Sequence, residues 1–131
     1  MKIKERFIIL QKTKLKLEHF RKYCLSKKGV TESFPFGEST LVFKVSDKIF
    51  AMTSFENPLR VNLKCDPEQA IELRERYEEV QPGYHMNKKH WNTVNFEGKI
   101  SEKELLKLTD DSYDLVVNSL SKKLRDELER L

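Results

Sequence analysis

The stretch from Pro82 to Val94 contains the side chains of this chain that are best suited to recognition chemistry. Its sequence, PGYHMNKKHWNTV, combines two Lys, two His, two Asn, one Tyr and the only Trp of the protein. Such groups occur together on surfaces that bind nucleic acids or other anions, because cations attract phosphates and aromatic rings stack on bases. Most of these side chains need water or a polar partner, so we predict an exposed recognition loop rather than a core element.

Other candidates for catalysis or metal binding are weak. None of the four glycines lies in a G-x-G-x-x-G or P-loop pattern that would cradle a phosphate group. His85 and His90 are five residues apart and would not share a helix face, and no Cys or His spacing is typical of zinc sites. Cys24 and Cys65 lie in apolar patterns, which favours buried, reduced thiols over a disulfide or a Cys–His nucleophilic pair. We therefore expect a protein without enzymatic activity, metal or cofactor.

Length and composition predict one folded domain. A chain of 131 residues with 38% hydrophobic residues can bury a core without metal or disulfide. No apolar run is long enough for a signal peptide or a membrane span, so we expect a cytoplasmic protein with no membrane partner. Residues 1–30 carry ten Lys or Arg against two Glu, whereas the other residues carry fifteen basic and nineteen acidic groups. We interpret residues 1–13 as a basic extension ahead of a domain over residues 14–131. The local basic excess indicates either a cationic arm that contacts a polyanion or a solvated helix face.

Hydrophobic periodicity predicts the elements that position the loop. Apolar residues at helical spacing indicate a helix over about residues 14–28. Alternating or β-branched runs indicate strands over residues 41–45, 48–53, 60–65 and 91–96. The order α-β-β-β-α-β-α-α with hairpin connections predicts an α+β fold: a two-layer sandwich in which helices cover mainly one face of an antiparallel sheet.

Capping residues predict where the other helices begin and end. Asp66 followed by Pro67 and Gln69 is typical of a helix start, and Ser101 with an acidic residue three positions later indicates another. We expect the segment from Asp110 to Ser112 to interrupt the helix that begins after Ser101. The charged tail after Lys122 is expected to fray.

Several short motifs follow one another along the chain as an ordered and specific set. They are Phe34-Pro35-Phe36-Gly37, Val42-Phe43-Lys44-Val45 with Lys48-Ile49-Phe50-Ala51, Val61-Asn62-Leu63-Lys64-Cys65-Asp66-Pro67, the stretch from Pro82 to Val94, and Ser112-Tyr113-Asp114-Leu115-Val116-Val117. Together they resemble the MmcQ/YjbR family over residues 14 to 125. The resemblance implies a CyaY-like α+β sandwich, which agrees with the predicted element order. It also implies a DNA-binding protein whose strand-connecting loops approach the duplex.

If double-stranded DNA is the partner, the contacts are expected to be mainly electrostatic. Lysines and arginines would contact phosphates, whereas Asn87, Asn92 and His90 could reach sugars or base edges. Lys44 and Lys48 flank the predicted hairpin turn and would act from a wing. The full set of candidate contacts is Lys44, Lys48, Arg60, Lys64, His85, Asn87, Lys88, Lys89, His90 and Asn92.

Two alternatives remain open at this point. The stretch from Tyr84 to Trp91 could close a pocket that binds a small anion or a protein partner, which the net acidic balance of residues 31–131 favours. Its polar residues could also serve structure alone, with Asn and His side chains capping loop backbone and Trp91 filling the core. An iron-delivery role rests only on analogy with the CyaY-like fold.

Overall fold

The computed structural model describes residues 3–131, except for the side chains of residues 6–12, 14 and 15. In that part of the chain, helices and strands follow in the order α1 (Ile3–Leu25), β1 (Val30–Ser33), β2 (Thr40–Val45), β3 (Lys48–Ser54), β4 (Arg60–Lys64), α2 (Pro67–Arg76), β5 (Val80–Pro82), β6 (Trp91–Asn95), α3 (Glu102–Asn118) and α4 (Lys122–Glu129). Of the helices so described, none is both long enough and apolar enough to cross a membrane.

All six strands pair antiparallel in one sheet with the order β1-β2-β3-β4-β6-β5. The helices pack on one face, which we call the inner face. Phe20 of α1 meets Phe43 edge to face at 5.7 Å, and Phe50 meets Tyr113 of α3 at 5.4 Å. These contacts confirm the predicted α+β two-layer sandwich, while the CyaY-like classification stays a prediction.

Alternation along the strands sorts the side chains onto the two faces. Phe43, Ala51 and Leu63 are in register across three strands, and all of them are buried on the inner face. The register shifts between Phe43 and Lys44, where β3 contains one additional residue. Because of this bulge, Phe50 and Ala51 are both fully buried although they are neighbours in sequence. Lys44 is thereby placed opposite Ile49 and away from the core.

The first helix is longer than predicted. It runs without a break from Ile3 to Leu25, so it crosses the predicted boundary between residues 13 and 14. At that boundary Thr13 is buried, and its hydroxyl lies 2.8 Å from Asn57 Oδ1 and 3.0 Å from Glu97 Oε1. Helix α1 therefore contacts the rest of the domain already at Thr13. Residues 1 and 2 of the predicted basic extension lie outside the described residues.

The prediction that residues 110 to 112 interrupt the last long helix was wrong, because α3 runs unbroken from Glu102 to Asn118. The polar residues that suggested a break form hydrogen bonds and ion pairs, most of them with other elements of the fold. Asp110 accepts hydrogen bonds from Tyr23 and Lys27, and Asp111 pairs with Lys107 one turn earlier. The hydroxyl of Ser112 is buried and donates to the Phe50 carbonyl at 2.5 Å.

Sequence reasoning missed β1, β5 and α4. The two strands have only four and three residues, which leaves little room for a periodic pattern. The expectation that the tail frays was wrong, since Ser121 caps α4 by accepting a hydrogen bond from Leu124 N. Leu128 of α4 is buried next to Gly29 in the turn between α1 and β1. This tertiary contact explains the order of the charged tail.

Candidate functional site

The sheet face opposite the helices, here called the outer face, carries the polar strand residues. Val42, Met52, Asn62 and Thr93 are in register across four strands and define this face. Its other members are Thr31, Ser33, Thr40, Lys44, Ile49, Ser54, Arg60, Lys64, Gln81, Trp91 and Asn95. Apart from the buried Val42, these side chains are half-buried or exposed.

The charges of the outer face all have the same sign. Lys44, Arg60 and Lys64 are its ionisable strand residues, and no Asp or Glu occupies a strand position on this face within the described sheet. The one acid in β1, Glu32, belongs to the inner face and forms a bidentate pair with Arg21 of α1, with Nε–Oε2 at 2.7 Å. The outer face is therefore locally cationic in a domain rich in carboxylates.

The three cations, here called the basic triangle, are spaced for contacts to separate anionic groups. Arg60 and Lys64 are four residues apart on β4, which is about 13 Å along a strand. Lys44 and Lys64 lie two strands apart, which is about 10 Å across a sheet. A length of about 13 Å of B-form duplex carries about eight phosphates, so each corner could meet a different one.

The loop between β5 and β6, residues 83–90, lies at the Lys64 end of the sheet because Lys64 pairs with Trp91. Asn62 and Thr93 tie this loop to the outer face. The Thr93 hydroxyl donates to Asn62 Oδ1 at 2.5 Å and accepts from Tyr84 N at 2.9 Å. Asn62 Nδ2 donates to the Tyr84 carbonyl at 3.3 Å. These bonds hold the start of the loop against the outer strand residues.

Arg74 of α2 fixes the same loop from the inner face. Its Nε donates to Asn92 Oδ1 at 2.7 Å, and its Nη2 donates to the carbonyls of Lys88 and, at 3.3 Å, Trp91. The amide of Asn92 in turn donates to the Ala70 carbonyl at 3.4 Å. One guanidinium therefore joins the helix, the strand and the end of the loop.

Internal bonds complete the loop conformation. Gly83 is buried, and a Cβ at this position would lie 2.8 Å from Cβ of Trp91, so the close approach to β6 requires glycine here. Lys88 Nζ donates to the Gly83 carbonyl at 3.0 Å, and Asn87 Oδ1 accepts from Lys89 N at 2.9 Å. His85 adopts a left-handed backbone conformation with φ of 57°. The loop is thus a sequence of bonded turns.

The predicted contacts in and beside this loop differ in exposure and in the bonds that they already make. Asn92 is 2% exposed and faces the helices, so the expectation that it reaches a ligand was wrong. Its amide instead satisfies Arg74 and the backbone of α2. Lys89 and His85 are exposed, whereas Lys88 and Asn87 are exposed but already serve the loop backbone. His90 is half-buried, and its carbonyl accepts from Cys65 N at 2.8 Å.

Of the four predicted contacts outside the loop, three lie on the outer face. Lys44 and Lys64 are half-buried and Arg60 is exposed, all on the outer face. Lys48 is exposed at the first position of β3, where it pairs with the inner-face residue Val45 and so lies outside the outer face. The structural alternative that Trp91 fills the core was wrong, because its ring is only half-buried and β6 alternation places it on the outer face.

Sequence reasoning missed three residues that shape the site: Asn62, Thr93 and Arg74. The alternation of β4 and β6 could have placed Asn62 and Thr93 on one face with Lys64. In the sequence, Arg74 is one of several charged residues of α2. Only the tertiary structure shows that it donates hydrogen bonds to Asn92 and to the loop backbone. Each of them positions the loop from a different element.

The two cysteines have the environment of unreactive thiols. Both are free and buried. Burial, with the nearby Asp66 and Asp111 carboxylates, raises the pKa of Cys65 to about 11, and burial also raises the pKa of Cys24. In the part of the protein that the structure describes, no three His, Cys, Asp or Glu side chains are grouped to hold a metal ion.

Comparisons with known proteins give consistent results. The model of the YjbR family matches residues 25–115. The uncharacterised protein YjbR of Escherichia coli is 37% identical over 110 residues, which cover 83% of this chain and 93% of that protein. The uncharacterised protein YbdF of Escherichia coli is 39% identical over 107 residues, covering 81% and 88%. A crystal structure of a Deinococcus radiodurans protein with the DUF419 domain has a TM-score of 0.83 at 39% identity, covering 86% and 87%.

Proposed function

This chain belongs to the YjbR family, and from its site we propose that it binds double-stranded DNA without catalysis, through the outer face and the 83–90 loop. The two Escherichia coli relatives are described as uncharacterised, so the proposal rests on the chemistry of this chain. The observation that carries it is the basic triangle of Lys44, Arg60 and Lys64 on a sheet face without strand carboxylates. Lys89 is exposed on the loop at the Lys64 end of the sheet and would supply a fourth cation.

The charge distribution supports a local contact rather than a protein surface that attracts polyanions everywhere. The chain has a net charge of only +4, with 21 acidic residues. Carboxylates elsewhere would repel a duplex, so a DNA ligand is directed to the sheet face whose strand positions carry none. The half-buried Trp91 ring, and the hydrogen-bonding capacity that remains to Asn62 and Asn95 beside their bonds within the protein, could contact sugars and base edges.

The binding is expected to be weak and strongly dependent on salt. Neutralising one phosphate contributes about −0.9 to the slope of log affinity against log salt. Contacts from Lys44, Arg60, Lys64 and Lys89 would give a slope of about −3.6. Backbone contacts of this kind bring little sequence specificity.

Fluorescence anisotropy with a labelled duplex over a salt series tests the proposal. The decisive variant is Lys44→Gln/Arg60→Gln/Lys64→Gln, which removes the basic triangle. Its matched control is Lys99→Gln/Lys103→Gln/Lys122→Gln, which removes the same charge from exposed positions outside the outer face. We expect the first variant to reduce the magnitude of the slope by about 2.7 and the control to leave it nearly unchanged.

Three outcomes would overturn the proposal. They are absence of duplex binding at low salt, equal losses in the two variants, and tighter binding of a single strand of the same sequence. Equal losses would indicate attraction by net charge alone. A preference for the single strand would indicate base stacking, with Trp91 as the first residue to substitute.

A protein- or anion-binding role of the Tyr84–Trp91 loop is the second candidate. Tyr84 is 69% exposed, and its ring centroid lies 4.0 Å from that of His85, so the loop presents an ordered aromatic pair. Exposed Tyr residues on ordered loops are frequent contact centres in protein interfaces. In that case Tyr84→Ala would abolish binding of a partner, whereas the basic-triangle variant would retain it.

A further inference from the structure

A cavity of about 580 Å³ lies on the helix side of the molecule, between α1 and the beginning of α3. Its floor consists of the side chains of Phe20, Phe96, Ile100 and Leu105, each no more than 7% exposed. The rings of Phe20 and Phe96 meet edge to face at 5.1 Å. This floor is apolar and firmly packed, whereas charged and polar residues line the opening.

The rim of the cavity is predominantly cationic. Lys16 and Lys22 of α1 supply its positive charges, and the exposed His19 lies on the same helix. Among the described lining residues, Glu102 is the one carboxylate. Lys16 Nζ donates to the Phe96 carbonyl at 3.1 Å, which holds this ammonium above the apolar floor. An ammonium has three donors, so it can bind an anion as well.

One polar contact crosses the opening. His19 Nδ1 on α1 lies 3.4 Å from Glu102 Oε1 on α3, and the two side chains are 78% and 70% exposed. An exposed pair of this kind contributes little free energy, so it presents only a small barrier to a ligand. Only the weak contact between His19 and Glu102, and not a layer of packed side chains, spans the opening.

We propose that this cavity binds a small amphipathic anion, with an aliphatic or aromatic body on the Phe20–Leu105 floor and a carboxylate head at Lys16 and Lys22. The volume lies within the range of small-molecule sites, which combine an apolar lining with a few convergent polar groups. Charge complementarity selects the sign of the head group, because two lysines face one carboxylate that His19 already engages. The site is separate from the outer face, so it does not depend on the proposed DNA binding.

Titration of the isotopically labelled full chain with decanoate, followed by amide chemical shifts, tests the proposal. Decyltrimethylammonium and decanol serve as cationic and neutral probes of the same chain length. We expect decanoate to bind best, with shifts concentrated on residues 16–26 and 96–106. Lys22→Glu should weaken decanoate binding about fivefold, because the reversed charge opposes the head group. Lys123→Glu, an equal charge change on exposed α4, should leave it unchanged.

A steric variant provides a second, independent measurement. Leu106 is half-buried and lines the cavity, so Leu106→Trp should fill it and abolish decanoate binding while circular dichroism shows a folded chain. The proposal is overturned if decyltrimethylammonium or decanol binds as tightly as decanoate, or if the shifts scatter over the surface. It is also overturned if Lys123→Glu weakens binding as much as Lys22→Glu, or if decanoate does not bind up to its solubility limit.

Discussion

Arg74 Nε donates a 2.7 Å hydrogen bond to Oδ1 of Asn92, and this bond links the two layers of the protein at the candidate site. Asn92 is buried, and the Arg74 guanidinium is the side-chain donor that its amide oxygen accepts from. The same guanidinium satisfies the carbonyls of Lys88 and Trp91. The order of the loop therefore depends on a residue of α2 that lies distant in sequence.

Arg74→Ala is expected to lower the free energy of unfolding by about 1.5–3 kcal/mol, since charged hydrogen bonds to a buried amide are lost. Urea denaturation measures this change. Amide hydrogen exchange should in addition show faster opening of residues 83–91. Arg76→Ala on the exposed side of α2 is the control and should change stability by less than about 0.5 kcal/mol. Similar effects of the two variants would contradict the anchoring role.

Ser112 provides a buried link between α3 and the sheet. Its hydroxyl accepts from Lys64 N at 2.8 Å and donates to the Phe50 carbonyl at 2.5 Å. Ser112→Ala is expected to cost about 1–3 kcal/mol of stability, because two backbone groups lose this partner. Ser119→Ala, at the exposed residue that follows α3, removes only a local hydrogen bond to the Val116 carbonyl and should cost less than about 0.5 kcal/mol in the same urea titration. An equal loss at Ser119 would show that the buried link of Ser112 contributes no more than a local hydrogen bond at the end of the helix.

Gly29 is constrained by both its backbone and its neighbour. It has a φ of 73°, and a Cβ there would lie 2.4 Å from Cδ1 of Leu128. We expect Gly29→Ala to cost about 1–2 kcal/mol from the left-handed conformation, and more from the displaced leucine. Combination with Leu128→Ala should remove the second part, giving a coupling of at least about 0.5 kcal/mol in a double-mutant cycle. Strictly additive losses would indicate that α4 moves away without cost.

Deprotonation of Tyr23 is expected to lower the free energy of unfolding at high pH. Its hydroxyl donates to Asp110 Oδ1 at 2.6 Å, and this bond, assisted by burial, raises the pKa of Tyr23 to about 12. An unfolded chain releases the phenolic proton near pH 10, so between about pH 10 and 12 the native state holds more protons. Stability then decreases as pH rises through this window. Urea titrations across it should give a shallower decrease for Tyr23→Phe, and an unchanged decrease would exclude this cause.

Local chemistry made part of the fold predictable. Asp66 accepts from Gln69 N and Ser101 accepts from Glu104 N, as the capping patterns predicted. Ser46 and Asp47, with φ of 47° and 63°, form the short turn between β2 and β3 where a hairpin connection was expected. These features depend on neighbours in sequence, so a single chain contains the required information.

The composition of the candidate site was less predictable than its position. Asn92 and Asn62 are both strand asparagines, yet one is buried under α2 and the other lies on the outer face. Residue type does not distinguish them, and only strand register does. Similarly, Arg74 is one of several charges on α2, and its role follows from the position of β6 beside it. Such assignments depend on tertiary contacts between distant residues.

Anchoring of the 83–90 loop on both faces has a kinetic consequence. Thr93 holds the start of the loop and Arg74 holds its end, so the bound and free backbones can be nearly identical. No slow rearrangement is then needed before a ligand is accepted. We expect a single association phase whose rate rises linearly with ligand concentration and falls with ionic strength, as diffusion steered by charge requires.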